Sequence, residues 1–443
     1  MSEKMKDSGV DWIGEIPVGW EVKKFKYFFE TTKGLSITKE KLTDKGIPVI
    51  SYGQIHSKYG RKVDSTKDLL PFVPEDYLRY KQALLTKGNF MFADTSEDIE
   101  GSGNFSTRTD GEGRLFAGYH TIIARLLDTK NNDFRYFMYL FDSEWFRNQI
   151  RHSVSGVKVF SITQSILKNT TILFPISLAE QKAVADYLDK QTSKFDQAQK
   201  LLKAEIERLR AYKKSLIYET VTKGLDKNVQ FKDSGVDWIG EIPEDWEVKR
   251  LKYVIEIKDG THDTPEYVNE GIPLITSKNL NSEYNEIDFS TTKNISILDS
   301  EKINKRSNVE QGDILMPMIG TVGGAVQVKT DNIFSIKNVA LFKTSNDFEL
   351  SGYLFYYLNS ELTNLQFKHV MSGGVQSFVS LAILSELKVV VPPREVLSKV
   401  VSHLDEKANK INQIIKIKEQ QLANLSEQRK TLIYEVVTGK RGI

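Results

Sequence analysis

The 443-residue chain contains no cysteine. That excludes disulfides and thiolate metal sites, and it fits a reducing, cytoplasmic setting. Long apolar runs are missing as well. Nothing approaches the ~20 residues that a membrane span needs, and the start, MSEKMKDSGV, lacks the apolar core of a signal peptide. Excess charge of one sign is also absent: 61 Lys and Arg stand against 59 Asp and Glu, a formal net charge of +2. Any basic surface for a polyanion must therefore be local. Histidine is scarce, and the six present (His56, His120, His152, His262, His369, His403) show no metal-ligand spacing, so no metal is expected.

Catalytic signatures are missing too. Methyl transfer to a base amino group would need an Asn-Pro-Pro-aromatic loop, and none occurs. No Gly-Lys is followed by Ser or Thr, so there is no nucleotide-phosphate loop. Gly101-Ser102-Gly103 and Gly111-Glu112-Gly113 do not complete a dinucleotide pattern, and Gly320 to Gly324 lacks the lysine of a phosphate loop and reads as a turn.

What is present is one unit written twice. Residues 6–30, KDSGVDWIGEIPVGWEVKKFKYFFE, and 232–256, KDSGVDWIGEIPEDWEVKRLKYVIE, are identical at 19 of 25 positions. The likeness returns at Gly46-Ile47-Pro48 and Gly271-Ile272-Pro273, then at Ser155-Gly156 and Ser372-Gly373, each leading to Pro175 or Pro392. It closes with Leu216-Ile217-Tyr218-Glu219 and Leu432-Ile433-Tyr434-Glu435, followed by Val221-Thr222 and Val437-Thr438. The middles, about 31–134 and 257–345, match poorly. A repeated frame around two divergent inserts suits a protein that presents two different reading heads.

Each copy opens with a mixed segment and ends in a long helix. Val49-Ile50, Leu84-Leu85, Ile122-Ile123-Ala124 and Thr171 to Phe174 read as strands, and Phe134 to Arg151 has helical spacing. Ser177 with Glu180 reads as a capping box, and Pro393 suits the first turn of the second helix. Both helices carry a seven-residue apolar seam: Leu188, Thr192, Phe195, Gln199, Leu202, Ile206, Leu209, Lys213 and Leu216 in one, and Leu404, Ala408, Ile411, Ile415, Lys418, Leu422, Leu425, Arg429 and Leu432 in the other. About 45 residues of helix span roughly 67 Å, so each seam is expected to find its partner in the other rather than only in its own half. The expected fold class is α+β: two pseudo-two-fold-related mixed α/β domains joined by two long helices forming an antiparallel coiled coil. Its divisions are 1–176 for the first globular domain, 177–223 for the first long helix, 224–393 for a linker and the second globular domain, and 394–443 for the second long helix.

Candidate binding residues are non-catalytic. Arg147, Arg151, His152 and Lys158 cluster with Trp145, Phe146 and Phe160 around Ser155-Gly156, and Ser161 with Gln164 reads as a second capping box nearby. Backbone N–H groups of such a loop can hold phosphate, and Arg or Lys can contact phosphate or guanine edges. Copy two carries Lys368, His369, Gly373, Gly374, Gln376 and Ser377 in the same place. Weaker candidates are the loops with Gln54, His56, Lys58, Tyr59 and Arg61, and with Ser277, Lys278, Asn279 and Asn281. The plain alternative for all of these is a solvated loop. Asp11, Glu21 and Lys23, with Asp237, Glu247 and Lys249, have the acid-acid-lysine spacing of a metal-dependent DNA nuclease. No Pro-Asp pair supplies the first acid, and Trp12, Ile13, Ile16 and Trp20 mark a buried opening segment instead.

The duplicated Trp-Ile-Gly-Glu-Ile-Pro-x-x-Trp, the Gly-Ile-Pro, the Ser-Gly loop, Pro175-Ile-Ser-Leu-Ala-Glu-Gln181 and Leu-Ile-Tyr-Glu-x-Val-Thr together resemble the specificity subunits of Type I restriction–modification systems, over essentially the whole chain. Copy two departs from that pattern at Pro392-Pro393-Arg394-Glu395-Val396, which lacks the Glu-Gln, and a changed local cap is expected there. The resemblance implies two target-recognition domains, each reading half of a bipartite, asymmetric site in double-stranded DNA. It implies that the long helices are a spacer and a platform for two methyltransferase subunits, joined by restriction/translocase subunits, and that S-adenosylmethionine, ATP and Mg²⁺ belong to those partners. A nuclease and a structural coiled-coil scaffold are the alternatives.

Overall fold

A computed structural model of the protein describes residues 4–10, 13–154, 156, 159–319, 323–371 and 378–443. Contacts divide the chain into two compact units, 1–201 with 422–443, and 202–421. Each long helix therefore gives its start to one unit and its end to the other.

The first unit runs through β1 (Met5–Asp7), β2 (Glu15–Pro17), β3 (Trp20–Lys24), β4 (Phe29–Lys33), β5 (Ile47–Ile50), α1 (Tyr52–Ser57), β6 (Lys62–Val63), β7 (Phe72–Val73), β8 (Phe90–Ala93), β9 (Thr95–Ser96), β10 (Phe105–Arg108), β11 (Phe116–Ala117) and β12 (Thr121–Leu126). Then come α2 (Phe134–Asp142), α3 (Glu144–Ser153), β13 (Phe160–Ser161), α4 (Gln164–Asn169), β14 (Thr171–Pro175) and the start of α5 (Leu178–Lys223). A five-stranded sheet, β4-β12-β8-β10-β6, lies beside a three-stranded one, β11-β5-β7. Phe25, Phe29, Phe90, Phe92, Phe141 and Phe146 pack edge-on and tilted between the large sheet and α2–α3, all 2% exposed or less.

The second unit takes the rest of α5 and then β15 (Phe231–Asp233), β16 (Glu241–Pro243), β17 (Glu247–Arg250), β18 (Glu256–Asp259), β19 (Tyr267–Val268), β20 (Ile272–Ile275), β21 (Leu280–Asn281), β22 (Glu286–Ile287) and β23 (Lys293–Ile295). It continues with α6 (Ile297–Ser307), β24 (Ile314–Pro317), β25 (Val326–Gln327), β26 (Ser335–Ile336), β27 (Val339–Lys343), α7 (Phe348–Leu358), α8 (Glu361–Met371), α9 (Leu381–Glu386), β28 (Lys388–Val391) and most of α10 (Arg394–Val437). Its sheets are β18-β27-β24-β25 and β19-β23-β20-β26. The divergent middles thus share one topology: β4-β12-β8 matches β18-β27-β24, and the parallel pair β11–β5 matches β26–β20.

The expected helices form, with α5 running unbroken for 46 residues and α10 for 44. In the second unit Glu205 pairs with Lys418 at 2.5 Å and Lys213 with Asn412 at 2.8 Å, so the two segments run antiparallel. Ile206, Ile411 and Ile415 form one cluster there with Leu209 and Leu216 against it, Leu202 is half-buried, and Leu404 enters the core of the globular part. In the first unit Arg429 lies 3.5 Å from Asp196, while Leu432 shares a core with Leu188 and Phe195; Leu422 and Leu425 are half-buried. Each helix packs on its own half as well as on its partner helix.

The Leu-Ile-Tyr-Glu-x-Val-Thr repeat explains itself at these helix ends. The buried hydroxyl of Tyr136 (α2) sits 2.8 Å from the Leu173 carbonyl of β14 and 3.3 Å from the Val437 carbonyl of α10. In the second unit Tyr353 (α7) sits 2.6 Å from Val390 of β28 and 3.0 Å from Val221 of α5. Burial pushes both phenols well above their ordinary pKa, so they stay protonated donors. Past each helix end a glycine takes positive φ, Gly439 at 68° and Gly224 at 71°. A Cβ on Gly439 would meet Pro17 at 2.5 Å, and one on Gly224 would meet Trp246 at 3.0 Å. The repeated Trp and Pro of the opening segment therefore form the seats for helix ends.

Several local expectations are corrected. The helical stretch from Phe134 is two helices, because the Ser143 hydroxyl accepts the Phe146 N–H and restarts the chain. Leu84-Leu85 makes only an isolated bridge to Phe116 after a 3-10 turn at 81–83. Thr163, not Ser161, caps α4. Pro393 stands just before α10 rather than inside its first turn. Glu180 turns to accept the Trp20 indole N–H at 2.6 Å. Gln181, fully buried, accepts the Asp133 N–H and donates to Pro175, whereas Leu397 at the matching place in α10 is buried among apolar groups, which is how copy two lives without the Glu-Gln.

The glycine seats give a first expected outcome. Gly439→Val forces a β-branched residue into positive φ against Pro17, at a cost on the order of 1–3 kcal/mol. Amide exchange over 432–437 should accelerate while exchange in β8 and β12 holds; equal protection of 432–437 in the variant would sink the account.

Candidate nucleic-acid interface

The described sequence candidates mostly hold the fold. Gln54 closes a capping box on α1, its Oε1 accepting the Ser51 N–H at 2.9 Å. Asn279 does the same for the 3-10 turn at 277–279, accepting from Thr276 at 2.9 Å, and is itself buried, with Ser277 half-buried in that turn. His56 donates from Nε2 to the Thr95 carbonyl at 2.8 Å and accepts at Nδ1 from Asn104 at 2.9 Å, which occupies both ring nitrogens. Arg147, drawn below its usual pKa by burial, bonds Asn104 from the other side. Arg61 pairs with Asp142 at 3.2 Å over the Tyr139 ring. Arg151, 12% exposed, is held by Glu144 at 2.6 Å and Glu100 at 3.1 Å. These cations brace loops and helices. Lys58 and Lys278 stay exposed.

The loop candidates Ser155, Lys158, Gly373, Gln376 and Ser377 lie outside the described residues. Gly156 is described, and a Cβ there would meet the Val159 carbonyl at 2.2 Å, so the turn needs glycine. Of the acid-acid-lysine sets, Asp11 is likewise outside. Glu21 is bound to Lys23 at 2.6 Å and Glu247 to Lys249 at 2.6 Å, each an exposed pair along one strand. Among the described residues no group of His, Asp and Glu is arranged to hold a metal ion, and no helix is long and apolar enough to cross a membrane.

The structure brings together a different set, at one end of the sheets. In the first unit β5 and β11 run parallel into a turn at Gly118 to His120, and Gly118 N–H bonds the Ile50 carbonyl at 2.6 Å. Gly34 lets the end of β4 cross this turn; a Cβ there would lie 2.1 Å from the Gly118 carbonyl. His120 takes φ 54°, its carbonyl accepts the Asp94 N–H at 3.0 Å, and its Nδ1–H donates to the Asp94 carboxylate at 3.0 Å. Tyr52 and Tyr119 stand edge-on to its ring, at 5.4 and 5.9 Å between centroids. The segment that follows the Ser155-Gly156 loop returns here, with Ile162 N–H bonded to the Asp94 carbonyl at 2.8 Å.

The second unit repeats most of these backbone bonds in a turn one residue shorter, and changes the side chains. Gly260 crosses at the same place, 2.0 Å from the Ile336 carbonyl for a Cβ, and Lys337 N–H bonds the Ile275 carbonyl at 2.9 Å. Asn338 takes φ 55° and its carbonyl accepts the Met318 N–H at 3.2 Å; Val379 N–H bonds the Met318 carbonyl at 2.9 Å. Asn338 Oδ1 lies 2.9 Å from His262 Nδ1, whose other nitrogen is 3.0 Å from Asp259, itself paired with Arg306. One turn thus carries an imidazole among tyrosines and the other an amide among His, Asp, Arg and Lys337. Sequence alone does not point to these residues. Only Gly34 and Gly260, at the same separation as the repeated opening segments, mark them.

Known proteins match this architecture. The family described as Type I restriction modification DNA specificity domain matches twice, over residues 17–208 and 243–424. A Methanocaldococcus jannaschii protein provisionally named the type I restriction enzyme MjaX specificity subunit is 26% identical over 439 residues, covering 97% of this chain and 95% of its own. The MjaVIII specificity subunit of the same organism is 25% identical over 384 residues, covering 84% and 85%. A chain solved in work on complex assembly and conformational transition of the type I R-M system superposes with a TM-score of 0.66 at 16% identity, over 96% of this chain and 99% of that one, a likeness of fold. The chain belongs to the Type I restriction modification DNA specificity family and carries its domain twice.

Proposed function

We propose that this chain is the DNA-reading subunit of a Type I restriction–modification complex. Each globular part reads one half of a bipartite, asymmetric site in double-stranded DNA, and methylation and restriction are carried out by partner subunits directed to that site. The observation that carries this reading is one backbone frame built twice, with different side chains at the same turn. A pure scaffold has no use for two unlike heads, and a nuclease has no use for Glu21 and Glu247 neutralised by their own neighbours.

The same reading assigns S-adenosylmethionine, ATP and Mg²⁺ to the partners: two methyltransferase subunits and the restriction/translocase subunits, working in the cytoplasm. This chain contributes recognition alone. Incubated by itself with DNA and all three cofactors, the purified protein should leave the DNA unmethylated and uncut, and cofactor-dependent modification traceable to it would overturn the assignment.

Head independence is tested separately. Replacing residues 31–170 with the matching stretch of a relative should change one half of the methylated motif in cells and leave the other half intact. A simultaneous change in both halves would mean the heads do not read alone.

A further inference from the structure

We propose that His120 and Asn338 are the base-reading residues of the two heads, each contacting a base edge in its own half-site. This rests on the reading of the chain as a DNA-specificity subunit and names where that specificity resides.

Among the described residues only His120, Asn285 and Asn338 are non-glycine at positive φ. Two of those three occupy the same turn in the two units. An L side chain is strained there where glycine is not, and glycine takes such a φ at plain turns of this chain, as at Gly9, Gly14, Gly235 and Gly240. A side chain retained against that strain is retained for what it does.

Both side chains are also aimed. The Asp94 carboxylate fixes the ring of His120 through Nδ1–H, Tyr52 and Tyr119 wall it, and the side chain is 54% exposed. Nε2 has no partner among the described residues. With Nδ1–H engaged, Nε2 of the neutral ring accepts from a base amino group, and it donates to a guanine O6 or N7 only as the imidazolium. Asn338 is braced through its Oδ1 by His262, in turn held by Asp259, and its Nδ2 has no partner among the described residues. Its Nδ2 can donate to a base-edge acceptor such as adenine N7, and the second lone pair of Oδ1 is left for the adenine amino group. The main-chain bonds from Asp94 to His120 and from Met318 to Asn338 match, although the second turn is one residue shorter, and both are made by backbone atoms that a change of side chain leaves in place.

The test uses the chain assembled with its own methyltransferase subunits, the motif being mapped by sequencing methylated DNA. His120→Gly keeps the backbone conformation and removes the reader, so one base position in one half-site should relax, discrimination there falling roughly 10–100-fold. Asn338→Gly should do the same in the other half alone. His120→Asn, tolerant of the same φ, should alter preference at the same position as His120→Gly. The proposal is overturned if these variants methylate an unchanged motif, and equally if the motif is unchanged while the salt dependence of binding becomes shallower by about one unit, the mark of a phosphate contact. If His120→Gly abolishes methylation, His120→Asn decides by the same criterion. Absence of any sequence-selective methylation by the unaltered complex would instead remove the DNA-reading assignment itself.

Discussion

The structure depends on how each helix end is seated. A helix end leaves carbonyls without intrahelical partners, and burying them without replacement is costly. Here the last turns of α5 and α10 enter aromatic cores, and a tyrosine hydroxyl, Tyr353 or Tyr136, reaches one of those carbonyls in each case. The same hydroxyl touches a strand carbonyl, so helix, α2 or α7, and β14 or β28 converge on one oxygen. The first unit closes its core with the distant segment 422–443, and the second closes its core with the end of α5, which belongs to the other copy. The requirement explains why Leu-Ile-Tyr-Glu-x-Val-Thr and the Trp-Pro opening segment repeat so closely: each copy must supply a seat and an end that fit the other copy's counterparts.

With the frame held in that way, the turns at the far end of the sheets are free to vary. What defines them is backbone: a glycine crossing, a parallel strand pair and a short set of main-chain hydrogen bonds. Main-chain bonds do not depend on side-chain identity, so Tyr52, Tyr119 and His120 can stand in one unit where Lys337, Asn338 and His262 stand in the other. Recognition that must change during evolution is thereby separated from contacts that must not.

The sequence was legible where period and repetition carry the signal. Helix limits, the seam and the duplicated frame all follow from spacing, because a seam needs only the right residue at every third or fourth place. The shared topology of the middles was not legible, since strands of two to six residues leave too few positions for a pattern, and equivalent strands share burial rather than identity. The recognition turns were missed for a different reason: His120, Asp94 and Tyr52 are far apart in sequence and meet only through sheet topology. Basic clusters misled in the opposite direction. Arg61 and Arg151 look like phosphate ligands in a linear reading because their acidic partners, Asp142, Glu100 and Glu144, sit on other elements or other turns, and Arg147 does so because its partner Asn104 is equally distant in sequence.

That internal neutralisation has a consequence for binding. Affinity for DNA without regard to sequence comes mainly from cations that replace counterions on phosphates. In this chain cations and carboxylates nearly balance, and arginines that flank the candidate surface of the first unit are already engaged with carboxylates or with Asn104. Exposed lysines such as Lys58 and Lys278 remain to hold DNA by charge. A reader built on base edges rather than on phosphates discriminates well but grips weakly. Such a reader gains affinity from any partner that adds phosphate contacts of its own, since those contacts add to base contacts without competing with them.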